Sequence, residues 1–272
     1  MPEGDTIFRT AAVLRDALVP HVLTRGELRH PRLSTVDLTG RAVVGVRSVG
    51  KHLFIRFSAG LSFRSHLAMD GIWQVTALRA RWRRAAHQAR AVLLTESRQA
   101  IGFLLQEMAL VDTADEDRLV AHLGPDLLDP AWGPDHLARA VARLTADPSR
   151  EIGVALLDQR VMAGVGNVFK AEICFLLGVS PWTPVSDVDA ARAVALSRDL
   201  LDRNKMVVDR ITTGDQRRDR RLWVYGRRGT PCLVCGGEVL VGSQGPDTRE
   251  RIAYYCPRCQ PGPVQQISRP HG

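Results

Sequence analysis

The sequence opens Met1-Pro2-Glu3-Gly4-Asp5. Removal of Met1 would leave Pro2 with a free secondary amine beside the carboxylate of Glu3. A terminal amine titrates near ~8 and a lysine ammonium near ~10.4, so at neutral pH the terminal nitrogen is roughly a hundred-fold richer in its neutral form. A neutral amine can attack the anomeric carbon of a sugar and form an iminium, which is covalent catalysis of the Schiff-base kind. Many chains begin Met-Pro without using it, so the terminus alone leaves the chemistry open. A second concentration of reactive groups comes late in the chain, where Cys232-x2-Cys235 and Cys256-x2-Cys259 form two thiol pairs. A two-residue spacer lets both sulfurs of a pair point at one ion, and four thiolates complete a tetrahedral zinc shell. Four protein ligands leave no open coordination position, so one such zinc is structural. Two disulfides are the alternative, which a cytosolic chain disfavours. The fifth cysteine, Cys174, lies in an apolar run and reads as a small buried hydrophobe.

A third segment, Leu156 to Val168, joins two helical stretches through Gly164, Gly166 and Asn167. Glycines there permit tight turns and close backbone approach, and Asn167 opens a helix whose free N–H groups favour an anion such as a phosphate. An ordinary helix–helix turn accounts for the same residues.

Charge narrows the partner. Lys plus Arg number 37 against 29 acidic residues, a net +8, which fits a polyanion, with nucleic acid the commonest. Only Lys51, Lys170 and Lys205 are lysines. Where arginine supplies nearly all positive charge, a retained lysine asks for a specific reason, since arginine serves as a generic phosphate contact. At 272 residues, 45% apolar and 24% charged, the chain reads as one large or two modest domains. It has neither a membrane-length apolar run nor a basic-then-apolar leader, and it is expected in the cytoplasm, with no membrane partner.

The elements that must position these residues fall in two textures. Asp5 to Leu18 reads as a helix, with Ile7, Ala11, Leu14 and Leu18 on one face and Asp5 or Thr6 as its cap. From about residue 20 to 112, short β-prone runs (42–46, 52–57, 61–67, 71–76, 91–95, 100–105) predict a β-sandwich or barrel. Arg79 to Arg90 is an arginine-rich loop or hairpin open to DNA contact. Beyond 112 the pattern turns helical, at 116–122, 135–145, 151–158, 167–177 and 189–204. Glu238–Gly242 and Ile252–Tyr255 read as a hairpin turning at Ser243–Asp247, with the cysteines at its open end.

Seven motifs then match one family in order. They are Pro-Glu-Gly at the start, Gly-Lys-His-Leu at 50–53, Ser-His-Leu-x-Met-x-Gly at 65–71 and Leu-Gly-Pro-Asp at 123–126. Leu-Asp-Gln…Ala-Gly-Val-Gly-Asn at 157–167, Val-Tyr-Gly-Arg at 224–227 and Tyr-Cys-Pro-Arg-Cys-Gln at 255–260 complete the set. The chain resembles the formamidopyrimidine-DNA glycosylase/endonuclease VIII (Fpg/Nei) family, on the endonuclease VIII side. The resemblance implies an α+β fold: an N-terminal helix-flanked β-sandwich and a C-terminal helix–two-turn–helix domain with a four-cysteine zinc-finger hairpin. With the textures above it implies a catalytic domain at 1–114, a helical domain at 115–228, a finger at 229–260 and a flexible tail at 261–272.

It also implies roles. Pro2 would be the nucleophile and Glu3 its acid/base partner. Lys51 would be a β-strand lysine that serves the lyase step and touches a phosphate. His66 and Asn167 match phosphate-contacting positions, Met69 the side chain that fills the gap left by an everted base, and Arg251 the finger arginine that grips the backbone. Cys232, Cys235, Cys256 and Cys259 would hold one structural zinc. The implied activity is base excision with apurinic/apyrimidinic (AP) lyase cleavage by β,δ-elimination. Oxidised pyrimidines or hydantoins would be the favoured lesions in damaged double-stranded DNA, with single-stranded or bubble DNA a further form, and the protein a monomer. A binding-only paralogue and an oxidised-purine specialist are the alternatives; a pure binder has no reason to keep Pro2, Glu3 and Lys51. Substrate choice would rest on a loop within Thr212–Arg221. Three departures stand out. Thr6 replaces a carboxylate that relatives carry, small or short residues (Ala68, Asp70) flank Met69, and the finger turn at Gly242–Pro246 is long.

Overall fold

The computed structural model describes residues 2–245 and 250–264, in two compact units, residues 1–122 and 123–272. The first unit begins with helix α1 (Gly4–Leu18), which buries Ile7, Ala11, Leu14 and Leu18. The N-cap falls two residues before the earlier of the two expected caps. Glu3 takes the N-cap position with no side-chain cap bond, and Asp5 lies inside the first turn, accepting from the Thr6 N–H at 2.7 Å.

Strands β1 (Arg25–Leu28), β2 (Val43–Val49), β3 (His52–Phe57), β4 (Leu61–His66), β5 (Ile72–Ala77), β6 (Ala89–Leu94), β7 (Arg98–Phe103) and β8 (Glu107–Asp112) follow. They form two antiparallel four-stranded sheets, ordered β1-β6-β7-β5 and β2-β3-β4-β8. One core joins α1 to both sheets: Leu14 and Leu18 pack with Ile55 and Phe63 from one and with Leu93 and Ala100 from the other. This is the expected helix-flanked sandwich. The runs singled out in the sequence omit β1, four residues of which Arg25, Gly26 and Glu27 are not β-prone, and β8, whose burial does not alternate.

The acidic segment at 112–118, where the sequence texture changes, belongs with the first unit. Helix α2 (Glu116–Val120) is held there by Glu116, a buried carboxylate that pairs with Arg56 at 2.6 Å and accepts from the Ser62 hydroxyl at 2.6 Å.

The second unit contains α3 (Pro134–Leu144), α4 (Ile152–Leu157), α5 (Asn167–Leu177) and α6 (Ala190–Asn204), then the hairpin of β9 (Leu240–Gln244) and β10 (Arg251–Tyr255). Pro134 stands at the first turn of α3, where a missing N–H costs nothing, and Gly178 ends α5 at φ +74°. Strand β9 runs two residues into the expected turn because Gln244 is buried against α4 and the Trp182 indole donates to the Ser243 carbonyl. Residues 246–249, which take in the end of the expected turn, and most of the expected loose tail lie outside the described residues.

Candidate active site and metal centre

Helix direction decides where the terminus goes. The Val43 N–H donates to the His21 carbonyl just beyond α1, and Arg15, further back along the helix, donates to the Val46 carbonyl further along β2. α1 and β2 therefore run antiparallel. From Arg15 back to Gly4 is about 16 Å of helix, and from Val46 on to Gly50 is about 13 Å of strand. Pro2 and Glu3 thus reach the same end of the unit as the β2–β3 turn. Pro2 is half-buried and Glu3 fully buried.

Lys51 sits in that turn rather than in a strand, which corrects the resemblance-based placement. Val49 pairs with His52, leaving Gly50-Lys51 as a two-residue hairpin loop, and Gly50 at φ +55° supplies the positive φ that such a turn demands at its first position. His52 pairs in register with His66 at the end of β4, and Met69 follows three residues on. Pro2, Glu3, Lys51, His66 and the Met69 turn are gathered at one end of the first unit.

The imidazoles at this end are held neutral. Burial, with Arg64 beside it, pushes His52 down to about 3, while Arg64 Nε donates to His52 Nδ1 at 3.1 Å. Burial lowers His66 as well, against a partial pull upward from Glu107, and the Lys51 charge adds to the lowering. His66 Nδ1 accepts from the Ala68 N–H at 3.1 Å, which leaves Nε2 as the protonated, donating nitrogen of the neutral ring. The same bond braces the Met69 turn, where Ala68 holds a left-handed φ of +50° and Met69 is 58% exposed. Beside it a recess of about 320 Å³ is lined by Asp70, Arg90, Leu104 and Leu105.

Because these histidines fold neutral and unfold with ordinary pKa values near 6.5, the unfolded chain binds more protons below that pH. Stability should therefore fall as pH drops from about 6.5 towards the carboxylate range. His52→Gln keeps an acceptor for Arg64 and removes the titration. Urea midpoints measured between pH 7 and 4.5 should decline less steeply in this variant than in the wild type.

In the second unit Asn167 opens α5 and its Nδ2 donates to the Ile252 carbonyl at 2.9 Å. One side-chain proton is thereby spent on holding β10, so any phosphate contact falls to the second proton and the first-turn backbone N–H groups. Arg251, one residue before Ile252, is exposed and pairs in register with Gln244. Gln244 is the buried hub: it accepts from Lys170 Nζ at 3.3 Å and donates to Glu151 at 2.9 Å and the Pro181 carbonyl at 2.7 Å. Lys170 is fully buried, and its flexible stem carries a compact ammonium to Gln244.

A second buried group escaped the sequence reading. Glu172 accepts from the N–H groups of Trp223, Val224 and Tyr225 at 2.7, 3.0 and 2.9 Å and from the Thr212 hydroxyl. Burial raises its pKa while these donors pull it down. The carboxylate ties both feet of the 213–222 loop to α5. A lone acid in the apolar helix Asn167–Leu177 was the signal available.

The four cysteine sulfurs lie within 4.8 Å of one another. Cys232–Cys259 and Cys235–Cys256 separations are 3.8 and 3.5 Å. A disulfide needs about 2.05 Å. Tetrahedral zinc with bonds of about 2.3 Å sets its sulfurs about 3.8 Å apart. The donor set fits one structural zinc, and the disulfide alternative fails.

Residues 1–126 match the formamidopyrimidine-DNA glycosylase N-terminal domain and residues 123–214 the formamidopyrimidine-DNA glycosylase H2TH domain. This chain belongs to the Fpg/Nei family. Among its relatives, the Streptomyces coelicolor protein named Probable endonuclease 8 2 is 51% identical, over 97% of this chain and 95% of that one. The DNA-(apurinic or apyrimidinic site) lyase Nei2 of Mycolicibacterium smegmatis is 48% identical, over 96% and 99%. A solved structure of Lactococcus lactis Fpg with abasic-site DNA shares the Fpg/Nei fold at a TM-score of 0.79 and 20% identity, covering 96% of this chain and 100% of that one.

Proposed function

We propose that this chain excises oxidised bases from damaged duplex DNA and then cuts the strand at the resulting abasic site, with Pro2 as the nucleophile. The arrival of the Pro2-Glu3 terminus at the end that carries Lys51 and His66 is the observation that supports this reading most.

The Pro2 nitrogen attacks C1′ of the damaged nucleotide, and the glycosidic bond breaks as the base leaves with its electron pair and takes up a proton. Glu3 protonates the ring oxygen, the deoxyribose opens, and the nitrogen lone pair forms the C1′ iminium. A secondary amine gives an iminium that is cationic without further protonation, so it withdraws electrons from C2′. Loss of a C2′ proton expels the 3′ phosphate, and a second elimination expels the 5′ phosphate. Hydrolysis then frees Pro2. Glu3 or Lys51 acts as base in the eliminations. The positive end of α1 disfavours an ammonium at this spot, which helps keep the amine nucleophilic.

His66 Nε2–H, the first turn of α5 and Arg251 are the proposed phosphate contacts, which position the strand without reading sequence. Met69 fills the space that the everted base vacates, because a base must leave the stack before its sugar can be attacked. The zinc, when bound, crosslinks the finger that presents Arg251. No helix among the described residues is long and apolar enough to cross a membrane, and we place the protein in the cytoplasm with the DNA it repairs.

End-labelled duplexes carrying thymine glycol, a hydantoin or an oxidised guanine test the reading. A one-nucleotide gap with phosphates at both ends is expected, with pyrimidine and hydantoin lesions cut faster. A lone unsaturated aldehyde at the 3′ end would reject the second elimination. Faster removal of oxidised purines would reassign the lesion class, and binding without cleavage would leave only a damage-recognition protein.

A further inference from the structure

Five of the chain's arginines, at 79, 81, 83, 84 and 90, fall in the 25-residue run Gly71–Thr95, which contains no Asp or Glu. Against a net charge of +8 for the whole protein, that run holds much of the excess. Arg79, Arg81, Arg83 and Arg84 are exposed and make no ion pair among the described residues. Within the 213–222 loop, by contrast, Arg217 and Arg220 pair with Asp215, and Arg221 with Asp209.

The segment that carries them is built rather than loose. It leaves β5 where the Leu78 N–H bonds the Ser97 carbonyl, and rejoins the sheet where the Leu104 N–H bonds the Gln88 carbonyl. Those bonds lie at opposite ends of β7, so residues 78–88 form a strap along the sheet. Trp82 pins the strap to the outer face, packing with Ala89, Val92, Ile101 and Phe103, while Ala91, Leu93 and Ala100 face the main core. Two buried glutamines fix its backbone. Gln74 donates to the Arg81 carbonyl at 3.1 Å and accepts from the Arg83 N–H at 2.8 Å. Gln99 accepts from the Trp82 indole at 2.9 Å and donates to the Ala80 carbonyl at 2.6 Å. Backbone held this way offers its arginines with little ordering left to be done on binding.

We propose that this strap is a second DNA-binding surface, taking the phosphate backbone of undamaged duplex flanking the lesion. Three observations choose that occupant. Six residues of β7 span about 20 Å, and duplex of that length carries about twelve phosphates, at one per 1.7 Å, a linear array for a linear array. No large apolar side chain is exposed on the strap, so a protein partner would lack the apolar core that interfaces need. The strap's last residue, Gln88, bonds Leu104 beside the start of β5, two residues beyond Asp70, and the strap reaches back from there along β7, away from Met69. A duplex held there continues outward from the lesion. This rests on DNA being the substrate, as proposed above.

The test is the full-length R79Q/R81Q/R83Q/R84Q variant, with Gln74, Trp82 and Gln99 untouched. Affinity is measured across a salt series for two duplexes with one central abasic analogue: a long one of about 40 base pairs, and a short one of about 7 base pairs closed by a hairpin loop at each end, whose three flanking base pairs reach only about 10 Å along the strap. On the long duplex the variant should bind at least tenfold more weakly, with the slope of log K against log salt flattened by up to about 3.6, four contacts at ~0.9 each. Affinity for the short duplex, and borohydride trapping on a short duplex with a true abasic site, should match wild type. Equal affinity of variant and wild type on the long duplex would overturn the proposal. Equal losses on both lengths would overturn it too, by placing the strap at the lesion. R79Q/R81Q and R83Q/R84Q should each show part of the long-duplex effect, which keeps the test valid if the quadruple variant melts early. Failure of wild-type trapping would count against the Schiff-base reading, and leave the length comparison to judge the strap.

Discussion

Borohydride should trap the processed protein covalently on duplex DNA carrying one abasic site, and should trap nothing when Met1 is retained or an N-terminal tag is present. In the blocked forms the Pro2 nitrogen is an amide, whose lone pair is delocalised into the carbonyl and cannot attack C1′. The loss should be complete rather than graded, because the terminal amine of Met1 or of a tag is displaced along the chain by at least one residue, about 3.5 Å, from where Pro2 holds it. Lysine substitutes poorly: a side-chain ammonium is roughly a hundred-fold poorer in neutral amine at neutral pH. Pro2→Gly restores a terminal amine but a primary one, whose imine must gain a proton before it becomes an electron sink. Trapping should then fall by about tenfold rather than vanish. The measurement is the fraction of labelled DNA shifted on a denaturing gel, with peptide mapping of the adduct to residue 2. Undiminished trapping by the tagged protein would remove Pro2 from the mechanism.

Removing zinc should cost lesion-DNA affinity while leaving the first unit folded. A two-stranded hairpin is marginal by itself, and β9–β10 presents Arg251. Four thiolates crosslink its open end. The second unit adds its own hold through Gln244, Asn167 and the Trp182 indole, but structural zinc in finger peptides contributes about 10–16 kcal/mol at neutral pH, well beyond a few hydrogen bonds at ~1 kcal/mol each. Loss of a charged contact worth about 1.5–3 kcal/mol corresponds to roughly a ten- to hundred-fold weaker complex. Chelation, or Cys256→Ala, should give that loss for an abasic-analogue duplex, with one zinc released per chain. The unfolding transition of residues 1–122 should not move, since that unit has its own core of α1 and two sheets. Wild-type affinity after Cys256→Ala, or no zinc in freshly purified protein, would refute this.

Local physics carried much of this protein in its sequence. The 3.6-residue period of Ile7, Ala11, Leu14 and Leu18 is enough for α1, the two-residue spacers for the cysteine cluster, and the Pro2-Glu3 start for the candidate nucleophile. These are short-range facts, readable because the residues that act together are neighbours in the chain. Only the tertiary structure decided which end of the sandwich receives Pro2, because that depends on α1 running antiparallel to β2. It also moved Lys51 from a strand to a turn, spent one proton of Asn167 on a carbonyl 85 residues away, and gave Lys170 a partner in Gln244, 74 residues on. Glu172 binds backbone groups more than 50 residues distant, and a bond to a backbone N–H leaves no mark on the partner's residue type. The edge strands β1 and β8 and the hold of Glu116 on the first unit share that origin. Periodicity and spacing record what a residue does with its neighbours; a buried polar group is satisfied by whatever the fold brings beside it.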